Sequence, residues 1–351
     1  MSAISPASER NTPGGNSSVS AALPAVALTM AAMAALLLAA FAATSARAGA
    51  VAEHSGVPGI KLATWNLEWL MTPETFNALK DHCISDDGER RAARRALPCD
   101  VVRTLERSAS DIAALRRYAA LLDADVVALE EVDGPNAARQ LFRQHEFCFT
   151  GSTAVRNNGF AIRRGVPFRC EADVRGLSLG DSVRRGAVAV LYPGTAREIH
   201  LLGVHLKSGC STQPLDGPLA ACRQLLRQLP ALEGWVETQT RAGHRFAVLG
   251  DFNRDLLAEQ SAPRGPHPGV LAEINDGDPP GSALTSAAGR SDFRNCARGQ
   301  RHSGFIDYIL LGESLRGARV PDSVERVVWT PADAAHRILS DHCPLAVRIV
   351  N

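Results

Sequence analysis

The sequence predicts a layered α/β protein. Three observations carry that reading: apolar runs of strand length recur along the chain, amphipathic segments at helical spacing lie between them, and short polar blocks stand where the runs finish. Strands buried on both faces need helices to cover them, and alternation of the two element types is the mark of such folds. The blocks are Trp65-Asn66-Leu67-Glu68, Glu130-Glu131-Val132, His205-Leu206-Lys207-Ser208, Gly250-Asp251-Phe252-Asn253, Ile306-Asp307-Tyr308 and Ser340-Asp341-His342. Strand ends in layered α/β folds converge on one edge, so carboxylates, carboxamides and two histidines repeated there are expected to build one site from distant segments.

Residues Met1 to Asn16 are polar and rich in Ser, Pro and Gly, and read as a disordered leader. The apolar run Ala21 to Ala43 is followed by Ala46-Arg47-Ala48, which fits the small-x-small rule for signal-peptide cleavage near Ala48. Export to the periplasm or the exterior is expected. The alternative is an uncleaved N-terminal membrane anchor, against which Pro24 and the weak hydrophobicity of alanine count. Residues 49–351 then form a single domain, long enough to bury a two-sheet core.

The first strand is Lys61-Leu62-Ala63-Thr64-Trp65, and Asp81 to Arg107 is a charged insertion, dense in arginine, expected on the surface. Ser110 offers an N-cap to a helix in which Ile112, Leu115, Ala119 and Leu122 share one face. That helix feeds Asp125 to Leu129, a strand buried on both sides. Later strands are expected at Ala187 to Tyr192, Ile199 to Val204, Phe246 to Leu249, Phe305 to Leu311 and Leu345 to Ile349. Leu219, Cys222, Leu225, Leu226 and Leu229 mark a second amphipathic helix, which Pro230 should end or kink before Trp235. Ser261 to Gly289, with Pro and Gly throughout, reads as loop.

All eight cysteines lie beyond the apolar run, in keeping with an oxidising compartment. No CxxC spacing is present, so a zinc site is not expected. Short separations suggest Cys83 with Cys99, Cys148 with Cys170 and Cys210 with Cys222, leaving Cys296 and Cys343; buried free thiols are the alternative throughout, above all for Cys343. The formal net charge is +1, and the first 48 residues, with Arg10 and Arg47 against Glu9, account for it, so the global field of the neutral remainder predicts neither nucleic-acid nor membrane binding.

In order, the polar blocks resemble the endonuclease/exonuclease/phosphatase superfamily, which includes pancreatic-type DNase, apurinic endonucleases, bacterial sphingomyelinases and inositol polyphosphate phosphatases. The resemblance runs from about Ile60 to Val350. It implies a DNase I-like four-layer α/β sandwich, two packed and mostly antiparallel β-sheets flanked by helices, and a divalent-metal phosphodiesterase. Hard oxygen ligands suit Mg²⁺ or Mn²⁺, with Ca²⁺ also admissible.

By the same resemblance Glu131 is the principal metal ligand. Relatives carry Leu-Gln-Glu-Val where this chain has Leu129-Glu130-Glu131-Val132, and strand alternation sends the two carboxylates to opposite sides. Asn66 stands near metal and phosphate, Glu68 and Asp341 are further metal candidates, and Lys207 could neutralise phosphate. Asp251 and Asn253, two residues apart, would point the same way if the strand continues, one activating water and the other binding phosphate. His205 and His342 match catalytic histidines, with Asp307 holding the second imidazole; histidines titrate near ~6.5, so base, acid and donor roles all stay open. The eight other histidines read as structural.

Arg90, Arg91, Arg94, Arg95, Arg163, Arg164, Arg184 and Arg185 form local basic clusters that could track a polyanionic backbone, so a nucleic acid is the expected substrate. Phospholipid is the alternative, as in sphingomyelinases or phosphoinositide phosphatases, although no aromatic cluster suited to interfacial insertion is evident. A binding protein that has lost catalysis is a third reading, against which the complete polar set counts. No protein partner is implied, and a monomer is expected.

Overall fold

The computed structural model of the chain describes residues 59–83, 99–178, 184–296 and 304–350. The expectations for residues 1–48, and for Arg90, Arg91, Arg94 and Arg95, fall outside them.

Two six-stranded sheets face each other. The first runs in the order β11 (Glu325–Arg326), β12 (Leu345–Ile349), β1 (Ile60–Leu70), β2 (Val126–Val132), β4 (Asn157–Arg163), β3 (His145–Phe149). The second runs β5 (Phe168–Cys170), β6 (Ala187–Leu191), β7 (Ile199–His205), β8 (Phe246–Asp251), β10 (Asp307–Gly312), β9 (Leu284–Ser286). Each sheet has one parallel pair, β1 with β2 and β7 with β8; the other pairings are antiparallel. Parallel neighbours require a crossover. The helix Ala109–Leu122 supplies it for β1 and β2, and the helices Ala220–Leu226 and Leu229–Arg241 supply it for β7 and β8.

Alternation along β1 explains the layers. Leu62 joins Ala128, Phe160 and Val347 of its own sheet and Leu202, Val204 and Leu249 of the other in one buried cluster. Ala63 and Trp65, turned the opposite way, pack with Val127, Leu129 and the helix residues Leu115, Tyr118 and Leu122. Each fully buried Leu, Val or Phe contributes about 1.5–3 kcal/mol before entropy is counted. The outcome is helix, sheet, sheet, helix.

Several local expectations are corrected. The cap of the first crossover helix is Ser108, whose side chain accepts from the Asp111 N–H while the Asp111 carboxylate accepts from Ser108 N–H; Ser110 lies inside the first turn. Pro230 starts a helix: it occupies the first turn of Leu229–Arg241, where its missing N–H costs nothing, and Trp235 sits within that helix. Ser261 to Gly289 includes a short helix, Val270–Ile274, and strand β9. Strands β3, β4 and β5 and the helix Pro73–Cys83 were not foreseen.

The disulfides are Cys83–Cys99, Cys148–Cys170, Cys210–Cys222 and Cys296–Cys343, so the two cysteines left over in sequence are joined to each other. The first closes the base of the charged insertion, whose residues 84–98 are outside the described set.

Candidate active site

The carboxyl ends of β1, β2, β7 and β8 and the amino ends of β10 and β12 meet at one edge. In the second sheet Asp251 pairs in register with His205 on one side and Asp307 on the other, so the three side chains form a row on one face. That face looks at the first sheet, where Asn66 Nδ2 donates to Asp251 Oδ2 at 3.1 Å. The imidazoles flank the same oxygen: His205 Nε2 lies 3.5 Å and His342 Nε2 3.8 Å from Asp251 Oδ2. His342 Nδ1 in turn donates to Asp307 Oδ1 at 2.8 Å.

Backbone strain is concentrated here. Of the eight non-glycine residues at positive φ among the described residues, five belong to this edge: Glu68, Trp69, Glu131, Arg184 and Asn253. Such conformations persist only where the surroundings impose them. In β1 and β2 they coincide with register shifts, between Asn66 and Leu70 and between Leu129 and Val132, which are bulges that re-aim side chains. Gly250 is obligatory at φ 145°, because a Cβ there would stand 1.9 Å from the Val204 carbonyl oxygen.

The bulge separates the paired glutamates. Glu130 is fully buried, accepts from Thr64 Oγ1 at 3.0 Å, and burial pushes its carboxyl well above the ordinary range. Glu131 turns to the open edge, where its Oε1 is 3.8 Å from His205 Nε2 and no described residue donates a hydrogen bond to it. Desolvation raises it too, opposed by Arg156, Arg184 and His342 and reinforced by Asp341.

The strand does not continue to Asn253, so the simple i,i+2 argument fails. Asn253 is left-handed at φ 52°, its N–H closes an Asx turn on Asp251 Oδ1 at 2.7 Å, and its Nδ2 donates to Asp251 Oδ2 at 3.0 Å and to the Leu206 carbonyl at 3.0 Å. The turn and the alignment with Asp251 coexist. Glu68 is also more engaged than a surface carboxylate: its Oε2 accepts the Asp341 N–H at 3.0 Å. Asp341 Oδ1 lies 3.9 Å from His342 Nε2.

Residues to which the sequence assigned no site role hold the His342 loop. Two indoles pin it, Trp65 Nε1 donating to the His342 carbonyl at 3.1 Å and Trp329 Nε1 to the Ser340 carbonyl at 2.9 Å. Arg107 donates to the carbonyls of Leu67 at 3.1 Å and Leu339 at 2.8 Å, tying β1 to the same loop. Ser340 Oγ donates to the Asn66 carbonyl at 2.7 Å. On the other side, buried Arg254 donates to the Cys210 carbonyl at 2.6 Å, the Gln213 carbonyl at 2.9 Å and Glu259 Oε1 at 2.8 Å, fixing the loop after His205.

Charge is distributed unevenly. Arg156 and Arg184 both act on Glu131, His205 and Lys207. Burial, then those arginines and His342, push His205 well below the ordinary histidine value, so it is neutral. Burial works against a charged His342 as well, but Asp307, Asp251 and Asp341 outweigh it and hold that imidazole up at about 10. Desolvation raises Asp251 to about 7, with His342 opposing and Asp307 assisting. Lys207 Nζ donates to the Ser208 carbonyl at 2.9 Å. Of the other basic residues singled out, Arg163 sits at the far edge paired with Asp123 and Asp125, and Arg185 pairs with Asp173. Arg156, unmarked in the sequence, stacks its guanidinium 4.5 Å from the Trp69 ring centre.

One ligand atom each of Asp251, Asp307 and His342 lie within 4.8 Å of one another. A metal nest there would compete with the 2.8 Å bond between His342 and Asp307. Glu131, without a hydrogen-bond donor among the described residues and with Asp341 adding negative charge, fits a hard cation better.

The chain is similar to several solved structures. An AP endonuclease from Archaeoglobus fulgidus superposes with a TM-score of 0.51 at 13% identity, covering 83% of this chain and 99% of that one. Humanized TDP2 of D. rerio gives 0.49 at 16% identity, over 82% of this chain and 98% of that one. The 3' phosphatase NExo from Neisseria, bound to product DNA hairpin, gives 0.46 at 17% identity, over 83% and 99%. No curated protein matches the sequence. The model of the Endonuclease/Exonuclease/phosphatase family matches residues 63–342, a span that holds every polar block of the candidate site, and the protein therefore belongs to that family of metal-dependent phosphoesterases.

Proposed function

We propose that the protein is an exported, Mg²⁺-dependent nuclease. The observation that carries the chemistry is Asp251 Oδ2, lying between the Nε2 atoms of His205 at 3.5 Å and His342 at 3.8 Å, with the charges of Arg156 and Arg184 acting on His205. Hydrolysis of a phosphodiester needs a proton acceptor for water, donors for the phosphoryl oxygens and help for the leaving oxygen.

Glu131 would hold the ion with Asn66, and Glu68 and Asp341 stand beside it; Mn²⁺ or Ca²⁺ would fit the same oxygen ligands. When bound, the ion supplies Lewis-acid stabilisation of charge on a non-bridging oxygen. Asp251, raised to about 7 and oriented by Asn66 and Asn253, accepts the proton from the attacking water. His342, kept protonated by Asp307, donates to the developing charge, and neutral His205 donates from Nε2 toward the phosphoryl or leaving oxygen. Pairing a raised carboxyl with a raised imidazole separates the base from the donor.

Nucleic acid is favoured as substrate because Arg156, Arg184 and Lys207 surround the site, and arginine binds phosphate with paired donors. A lipid-directed enzyme would need an apolar loop for insertion. The exposed large hydrophobics among the described residues, Leu121, Leu219, Val328 and Val350, come from four separate segments. Export is supported by the disulfides and by the apolar run before Ala48; among the described residues no helix is long and apolar enough to cross a membrane.

The test is a panel: plasmid DNA, RNA, sphingomyelin and bis-p-nitrophenyl phosphate, each with Mg²⁺ and with chelator. Metal-dependent cleavage of DNA or RNA supports the proposal. Brisk turnover of sphingomyelin with none of nucleic acid overturns the substrate assignment.

A further inference from the structure

β7 and β8 carry a second cluster of metal-ligating groups at their amino ends, the edge opposite Asp251. Five residues of strand separate His200 from His205, about 16 Å at 3.3 Å per residue. There His200 Nε2 lies 2.8 Å from Glu198 Oε1, and the His200 and His244 rings stack 3.9 Å apart and 8° from parallel. One ring nitrogen of each histidine and one carboxylate oxygen of Glu198 fall within 4.8 Å of one another.

We propose that Glu198, His200 and His244 form a zinc site, distinct from the hydrolytic centre. Two imidazoles and a carboxylate, with water as a fourth ligand, are a common donor set for this ion, and imidazole favours it over Mg²⁺. Stacked rings aim their in-plane lone pairs along parallel lines, so binding would turn the His200 ring out of the stack until both nitrogens and Glu198 converge on the ion. Each ligand is also held from behind. Glu198 Oε2 accepts the Gly194 N–H, and Gln239 Oε1 accepts from His244 Nδ1 at 2.8 Å, which leaves Nε2 of that ring with the lone pair. The His200 N–H donates to the Arg245 carbonyl at 2.8 Å, fixing the backbone of one ligand against the neighbour of another.

Zinc would replace the proton between His200 and Glu198. It would staple the turn before β7 to the chain between the helix Leu229–Arg241 and β8, closing the second sheet at the end remote from catalysis.

Zinc bound by the purified protein, measured by equilibrium dialysis and elemental analysis in saturating Mg²⁺, tests the site. One equivalent is expected in the wild type and none in His244→Ala or Glu198→Gln, with Gln239→Leu weakening affinity about 10–100-fold. Zinc should raise the wild-type Tm, by an amount that grows with the logarithm of its concentration above Kd, and leave that of His244→Ala unmoved. Mg²⁺-dependent phosphoester hydrolysis should be the same in all four proteins. Glu198→Gln changes a partly exposed side chain, so the test survives if His244→Ala folds poorly. No zinc equivalent in the wild type, or the same equivalent and Tm shift in both variants, overturns the site.

Discussion

Asn66 and Asp251 are joined across the seam between the two sheets by a 3.1 Å hydrogen bond, the amide coming from β1 and the carboxylate from β8. The reacting groups therefore do not belong to one rigid sheet. Their alignment depends on how the sheets dock, which the cluster containing Leu62, Ala128, Val204 and Leu249 determines. A change of packing there should cost turnover before it costs fold, because displacements of an ångström at a catalytic constellation are expensive.

Asp307→Asn is expected to lower turnover by about 10²–10⁴ while the fold is retained. The amide cannot stabilise an imidazolium, so the His342 ring should titrate well below about 10 in an NMR experiment. The sign for stability follows: a histidine raised in the folded state adds stability that is complete below about 6.5 and is lost as pH rises through about 10. Wild type should lose that increment between those values, and Asp307→Asn should lose less. An unshifted His342 in the variant contradicts the assignment.

Glu131→Gln should abolish Mg²⁺-dependent activity and weaken Mg²⁺ binding, whereas Glu130→Gln should leave binding close to wild type. The difference rests on the bulge, which aims Glu131 at the open edge and leaves Glu130 bonded to Thr64. Calorimetric titration with Mg²⁺ distinguishes them. Equal affinities in both variants would mean that the bulge does not select the ligand.

Arg254→Ala should destabilise the protein by about 3–5 kcal/mol, since it leaves the buried Glu259 carboxylate without its charged partner. The double change Arg254→Met with Glu259→Leu should recover part of that loss in denaturant unfolding. A single variant as stable as wild type would show that this pair does not hold the loop between His205 and Asn253.

Asp111→Asn should weaken the cap of the first crossover helix by about 0.5–2 kcal/mol at neutral pH. Desolvation raises the Asp111 carboxyl, but hydrogen bonds from Ser108 and Ile338 and the charge of Arg337 more than compensate, and its folded value is depressed. The stability it contributes is present above the unfolded carboxyl value, near ~3.9, and disappears as pH falls through the lower folded one. Wild type and variant should accordingly converge in acid-unfolding curves below that window.

What the sequence disclosed follows from where the information lies. Asn66, Glu131, His205, Asp251, Asp307 and His342 were legible because strand ends place them on one edge, and the polar block at each end is contiguous text. The crossover helices were legible through their apolar periodicity. Arg107, Arg156, Arg254 and Trp329 were not, because a single arginine or tryptophan takes its meaning from the loop that folds back on it. The bulges at Glu68 and Glu131 were hidden because positive φ was carried by residues other than glycine. Pro230 misled for a related reason: a proline ends one helix or begins the next, and only the backbone distinguishes the two.

The last prediction concerns the polyanion. Arg156 combines electrostatic reach to Glu131, His205 and Lys207 with a guanidinium stacked 4.5 Å from the Trp69 ring centre. A stacked guanidinium keeps its edge donors for phosphate. Arg184, by contrast, also donates to the Leu206 carbonyl and to Ser208 Oγ, so its loss would disturb the loop after His205. Arg156→Ala is thus the cleaner probe. If the substrate is a nucleic acid and Arg156 contacts one phosphate, KM should rise several-fold. The slope of log binding against log salt should fall by about 0.7 for single strands or 0.9 for duplex. Hydrolysis of bis-p-nitrophenyl phosphate, which presents no flanking phosphate, should change far less. A salt slope identical to wild type would place Arg156 outside the path of the backbone, and cleavage that ignores salt altogether would favour the lipid-directed reading.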